Sequence, residues 1–241
     1  MSTETSLIKK EEVASSFVQG IKDCVPTLLG YTSIGFAFGV VGVSSNLSVV
    51  EIALLSALVY AGAAQFILCS MLVTDSPISA MILTTFIVNL RHFLLSASLA
   101  PYFSKYSLLK GLGIGLFITD ESFGVASNKI IKNVHLHDHW MYGLNLTAYI
   151  CWTISCVTGA LCGNWISHPE QYGLDYALIA MFAALLVLQL DSVAPSKLKH
   201  YLRLVLYMVI AMLVLSLFIS THLAVILATV IVATIGVVTD K

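Results

Sequence analysis

Apolar residues run along this chain in long stretches broken by short polar clusters. The breaks delimit eight segments: Pro26 to Val43, Val49 to Val73, Ile78 to Ala100, Leu108 to Asn128, Met141 to Gly163, Leu174 to Leu190, Leu202 to Ile219 and His222 to Val238. A helix that crosses a bilayer needs about 20 apolar residues, with roughly 17 to 25 tolerated. The pattern therefore predicts an all-α, polytopic integral membrane protein of about seven to eight transmembrane helices. Residues 25–240 form one transmembrane domain behind an N-terminal tail, 1–24. Only Ser220 and Thr221 separate the last two segments. They read as a tight hairpin, because a single helix over both would be about 50 Å long and overshoot the bilayer.

Punctuation agrees with these limits. Pro26, Pro77, Pro101, Pro169 and Pro195 fall at or near the proposed ends, where a missing N–H does least harm. Trp140 and Trp165 bracket one segment as interface anchors, and Tyr102 and Tyr201 stand at other ends. In the tail, Phe17, Val18 and Ile21 fit either a short surface-lying amphipathic segment or unstructured chain. The tail has no apolar core of the secretory kind, and no cleaved leader is expected.

Composition sharpens the membrane reading. Of the 241 residues 58% are hydrophobic and 10% charged, with mean hydropathy +0.92, where a soluble domain carries roughly 25% charged residues. The net charge of -1 and the absence of a basic, aromatic-interleaved patch exclude a nucleic-acid partner. The five cysteines form no CxxC pair and read as small buried apolar residues. If the Leu108 segment crosses the membrane, nine lysines and arginines share one side against Lys105 and Lys110. That split sets both termini in the cytoplasm. If the segment only dips in, the N-terminus moves outside and the split weakens to eight against three. The crossing topology is the one expected.

Two polar clusters lie in the middle of apolar segments: Asn89-Leu90-Arg91-His92 and Thr119-Asp120-Glu121-Ser122. An ionised group at bilayer depth costs a few kcal/mol and survives facing protein or a water-filled cavity. On a helix Thr85, Asn89, His92 and Ser96 fall on one face, with Thr84, Arg91 and Ser98 on a second line about 100° away. The four residues of the second cluster are consecutive, so at about 100° per residue they cannot share one cavity from a regular helix. Either one carboxylate looks elsewhere or the helix breaks near Asp120, as the glycines at 111, 113, 115 and 124 allow. Arg91 is expected to pair with Asp120 or Glu121. Gln65, with Tyr60 five residues before it, is either interhelical glue or a substrate contact. His135, His137 and His139 read as solvated loop residues, and no metal or cofactor is expected. Gly39 and Gly159 stand 120 residues apart, and the same offset lays 56–64 on 176–184. Duplicated halves and chance matching of alanine and leucine both account for that echo.

These residues resemble the AzlC family, large subunits of two-component branched-chain amino-acid exporters. The likeness rests on Tyr60-Ala61-Gly62-Ala63-Ala64-Gln65-Phe66, Asn89-Leu90-Arg91-His92, Thr119-Asp120-Glu121-Ser122-Phe123, Trp152, Gly159 to Gly163, and Gly173-Leu174-Asp175-Tyr176-Ala177 followed by Ala180-Met181-Phe182. It implies export of valine, leucine and isoleucine across a bacterial inner membrane, a small AzlD-type membrane subunit, and coupling to the proton-motive force. The candidate substrate-binding residues are then Arg91, Asn89, Gln65, Tyr60 and Asp120, and the candidate proton-coupling residues Asp120, Glu121 and His92. A guanidinium suits a carboxylate, and an acidic side chain suits an ammonium group. Two other readings compete: an intramembrane enzyme using Asp120, Glu121 and His92, and a channel or scaffold subunit. The enzyme reading has no GxSxG or HExxH signature behind it.

Overall fold

The computed structural model describes residues 16–132, 134–163, 165–166, 169–173, 176–191, 193–219 and 221–239. Its helices are α1 (Phe17–Ser44), α2 (Val49–Leu58), α3 (Gly62–Val73), α4 (Ile78–Leu99), α5 (Leu108–Leu116), α6 (Asp120–Ile131), α7 (Asp138–Gly163), α8 (Ala177–Asp191), α9 (Pro195–Ser216) and α10 (Thr221–Thr239), with short 3-10 turns at Ala100–Phe103 and Pro169–Tyr172. No strand occurs among the described residues. The chain forms two compact units, Met1–Ile179 and Ala180–Lys241. In the second unit α9 and α10 run antiparallel, with Gly236 against Leu204, as the paired apolar segments require.

The first unit is built on α1 and α7. Ser16 caps α1, its side chain accepting from the Gln19 N–H, and the helix then runs for 28 residues, about 42 Å. It begins at Phe17, so Phe17 to Cys24, expected in the tail, are its first turns; residues 1–15 lie outside the described part. Helices α1 and α7 are parallel and packed along their length. A Cβ on Gly20 would overlap Trp140 and Leu144, one on Gly39 would overlap Cys156 and Ala160, and one on Gly159 would overlap Phe36. Backbones this close gain the dispersion contact that must stand in for a hydrophobic drive inside lipid. The sequence echo between Gly39 and Gly159 is thus a direct contact across this seam.

Between α1 and α7 the chain makes two half-length hairpins. Helix α2 descends from the Ser44 end: Ile52 meets Gly42, and the Ala57 carbonyl accepts from the Tyr149 hydroxyl at 3.1 Å. The chain turns at Tyr60, whose φ is 43°. Helix α3 then climbs back, with Gly62 against Trp152 and Phe66 against Phe38. The Gln65 amide donates to the Ser56 hydroxyl at 3.4 Å across the hairpin. In one straight helix those two residues would be about 13 Å apart along the axis.

The second hairpin inserts from the opposite end. Helix α5 rises beside α7: Lys110 pairs with Asp138 at 2.6 Å, and the Ile114 carbonyl accepts from the Asn145 amide at 3.1 Å. After the break at 117–119, α6 returns beside α1, and Lys129 pairs with Asp23 at 3.4 Å. Each of these four helices has only 9 to 12 residues, half of what a hydrocarbon core about 30 Å thick demands.

The expected crossings by residues 49–73 and by the Leu108 segment are therefore corrected. Both turn back at mid-depth, so neither run supplies a full crossing; among the described residues four helices are long and apolar enough to cross a membrane. What repeats is a long helix followed by a hairpin, α1 with α2–α3 and α4 with α5–α6, in opposite senses. As a result Lys22, Lys105, Lys110, Lys129 and Lys132 all gather at the Phe17 end, while residues 45–48 and 74–77 carry no lysine or arginine.

Trp140 corrects another expectation. It is fully buried, its indole N–H donates to Asp23 at 2.8 Å, and the Lys129 ammonium lies 4.0 Å from its ring. It locks three helices together instead of facing the membrane interface. Trp165 is 84% exposed, as an anchor should be.

Two outcomes test this architecture. Single cysteines replacing Ser44 and Thr74 label with an impermeant thiol reagent from one face of the membrane, and those replacing Lys105 and Lys132 from the other; a crossing by 49–73 would separate Ser44 from Thr74. Gly39→Leu forces the seam apart and costs at least the roughly 1–3 kcal/mol of an overpacked core. That loss is read as a lower unfolding temperature in detergent, with Gly30→Leu, where a Cβ meets nothing within 4 Å, unchanged.

Candidate functional site

The two hairpin tips meet at mid-depth, beside Tyr31 near the midpoint of α1 and Tyr149 near that of α7. Tyr60, Phe117 and Tyr149 form a cluster of rings with centroids 5.0 to 6.3 Å apart. Tyr31 stacks edge-on to Trp152 at 5.3 Å. These rings pack together where the two tips meet.

The break before α6 aims two carboxylates in different directions. Thr119 is the helix cap: its hydroxyl accepts from the Ser122 N–H at 3.3 Å, and the Ser122 hydroxyl accepts from the Thr119 N–H at 2.9 Å. Asp120 and Glu121 follow in the first turn, where the unpaired amides and positive dipole end favour negative charge. Asp120 meets Arg91 of α4 at 2.9 Å, the ion pair the two central clusters predict. Glu121 points to α1 and accepts from the Tyr31 hydroxyl at 2.9 Å; that hydroxyl also lies 2.6 Å from the Thr119 hydroxyl. Both alternatives open for this cluster are realised, since the helix breaks and the carboxylates part.

The other candidates divide. His92 lies within electrostatic reach of Arg91 and Asp120 and helps line a cavity. The Asn89 side-chain oxygen is buried and accepts no hydrogen bond. The Tyr60 hydroxyl is near that of Tyr31, is buried, and meets no partner in hydrogen-bonding geometry. Gln65 is fully buried and uses both ends of its amide, donating to Ser56 and accepting from the Trp152 indole at 3.1 Å. These bonds tie the α2–α3 hairpin to α7.

Tyr31 was not singled out in the sequence, because a lone tyrosine in an apolar run carries no signal until a carboxylate is found beside it. Among the described residues no group of histidine, cysteine and acidic side chains has the arrangement of a metal site, and all five cysteines are free.

Beside the ion pair lies a cavity of about 710 Å³ between α4, the turn at Ala100–Phe103 and α5. His92 and Ile118 stand at its inner end and Ser104 and Ser107 at its outer end, with Leu99 and Ile114 among the apolar walls.

Opposed half-length hairpins with charged side chains at their meeting point define a multi-pass membrane protein built around a central polar site. The chain belongs to the AzlC family: that family, described as "AzlC protein", matches residues 26–166. It is similar to the inner membrane protein YgaZ of Escherichia coli, 28% identical over 179 residues, covering 72% of this chain and 73% of the relative. It is also similar to an uncharacterized membrane protein of Archaeoglobus fulgidus, 29% identical over 177 residues with 72% and 76% covered. The branched-chain amino acid transport protein AzlC of Bacillus subtilis is 24% identical over 187 residues, with 77% and 72% covered. No solved structure matches. Part of the motif Gly173 to Ala177, namely Leu174 and Asp175, lies outside the described residues.

The ion pair gives its own test. Arg91→Ala leaves Asp120 unpaired and lowers stability by less than the roughly 3–5 kcal/mol of a fully buried pair, since the two side chains are 27% and 16% exposed. The double variant Arg91→Ala/Asp120→Ala unfolds at a higher temperature than Arg91→Ala alone. Strictly additive losses would show that the two charges do not interact.

Proposed function

We propose that this protein is a secondary transporter that exports valine, leucine and isoleucine across the cytoplasmic membrane, with a small membrane subunit of the AzlD type and the proton-motive force as drive. The observation that carries the reading is the guanidinium of Arg91 held at mid-depth beside two divergent carboxylates, at the junction of two hairpins inserted from opposite ends. A zwitterion presents one negative and one positive group. Its carboxylate displaces Asp120 from the planar fork of Arg91, and its ammonium takes the released Asp120. The internal ion pair thus keeps the empty site neutral, and binding trades one pair for two. Asn89 and Tyr60, each with an unused buried oxygen, add the remaining polar contacts. Glu121, turned toward α1 and bonded by the Tyr31 hydroxyl, carries the coupling proton, with His92 beside the exchange.

Orientation follows from the lysines. Gathered at the Phe17 end, they favour that end for the cytoplasm, which puts the start of α1 on the cytoplasmic side. Divergence of the carboxylates also favours transport over acid–base catalysis, because Asp120, Glu121 and His92 do not converge on one point. One methylene in an apolar pocket is worth only about 1–3 kcal/mol, so all three branched amino acids are carried.

Cells fed dipeptides containing these residues accumulate intracellular leucine, isoleucine and valine when the gene is deleted, and the intact gene restores low pools. Arg91→Ala, expressed to the same level, fails to restore them. Equal pools of all three with and without the gene would overturn the reading.

A further inference from the structure

We infer that the cavity between α4 and α5 is the access vestibule through which an apolar amino acid reaches the Arg91–Asp120 pair from the Phe17 end, and that the glycine face of α5 sets the size of side chain it passes. The inference rests on the proposed transport of branched-chain amino acids and adds the route and the residues that gauge the cargo.

Location is the first argument. The outer end, at Ser104 and Ser107, lies where the lysines gather, and the inner end, at His92 and Ile118, abuts the two positions that bear the ion pair, Arg91 and Asp120. The cavity therefore runs from the lysine-bearing end of the unit to His92, the neighbour of Arg91 in the chain, and Ile118, two residues before Asp120. Size and chemistry are the second. About 710 Å³ falls within the roughly 300–1,000 Å³ of small-molecule sites, and the apolar walls of Leu99, Phe103 and Ile114, with a few polar groups at the two ends, suit a molecule with a greasy side chain and a charged head.

The glycines of this unit fall into two kinds. Gly39, Gly143 and Gly159 are required by backbones in contact, for a Cβ on each would overlap a neighbouring main chain. Gly111 and Gly115 on α5 are different. A Cβ on Gly111 meets nothing within 4 Å, and one on Gly115 meets only Ser96, at 3.7 Å. Packing asks for neither, and glycine weakens a helix interior through its extra freedom in the unfolded chain. Both line the cavity, so their effect is to keep that space open.

The same freedom supplies the test, because larger residues at Gly111 extend into the cavity without displacing backbone. In inside-out vesicles that hold the protein with its small membrane subunit and take up radiolabelled leucine, isoleucine and valine from outside, Gly111→Val lowers leucine and isoleucine transport relative to valine by about tenfold, the low end of what one methylene is worth in a fitted pocket. Gly111→Phe stops all three, while Gly30→Phe, on an exposed open position of α1, transports as wild type. Gly111→Cys reacts with an impermeant thiol reagent, above the wild-type background, from the Phe17 face alone, and leucine slows that reaction.

Wild-type rates for folded Gly111→Phe, labelling from the opposite face, or labelling from neither face as expected of a crevice filled by lipid, would each overturn the vestibule. A wild-type protein that, together with its small membrane subunit, moves none of the three amino acids would instead overturn the proposed function. In that case one-sided labelling of Gly111→Cys still decides whether the cavity opens to the Phe17 end.

Discussion

Backbone that leaves the helix inside a bilayer must be walled in by protein, because no water is there to satisfy its N–H and C=O groups. This unit breaks its chain at mid-depth twice, at Tyr60 and at 117–119. Everything around those breaks serves to enclose them. The glycine seam draws α1 and α7 together into a two-helix wall. Tyr31, Tyr149 and Trp152 project from that wall onto the tips, and the Tyr149 hydroxyl and Trp152 indole bond the first hairpin directly. Thr119 and Ser122 satisfy the freed amides of the second.

Once the breaks are enclosed, they become useful. A helix that starts at mid-depth offers unpaired amides and the positive end of its dipole where an uninterrupted helix offers none. Asp120 and Glu121 can be charged there because α6 begins with them, and Arg91 arrives from α4 to balance one of the two. The second carboxylate is left to a tyrosine hydroxyl. Two acids one residue apart thus acquire different environments from a single turn of helix.

The hairpins are held by different means. The α2–α3 legs pack against helices through small residues and side-chain hydrogen bonds. The α5–α6 legs are tied at their outer ends by ion pairs, Lys110 with Asp138 and Lys129 with Asp23, and α5 borders open space on its α4 side. Opposite insertion also accounts for the charge distribution. With both hairpins turning back, every loop that bears lysine in the described part of this unit falls at one end, which a pair of full crossings would not produce.

Much was legible in the linear chain. Hydropathy alone marks a helical membrane protein, because span length and apolarity are local properties. The consecutive Thr119 to Ser122 already required a break or a divergence, since helical geometry lets no four adjacent residues share a face. A lone arginine and lone acids at similar depth pointed to their partner, because an unpaired charge there is too costly to leave.

Tertiary packing decided the rest. An apolar run of 21 to 25 residues reads the same whether it crosses or folds back, as 49–73 and the Leu108 segment show. The turn at Tyr60 was visible only once Ser56 and Gln65 were seen to bond across it. Likewise Trp140, with the composition of an interface anchor, is buried because Asp23 and Lys129 come from distant parts of the chain to cover it. Local sequence states which groups need a partner; which partner they find, and from which end the chain approaches, depends on long-range contacts that no short window contains.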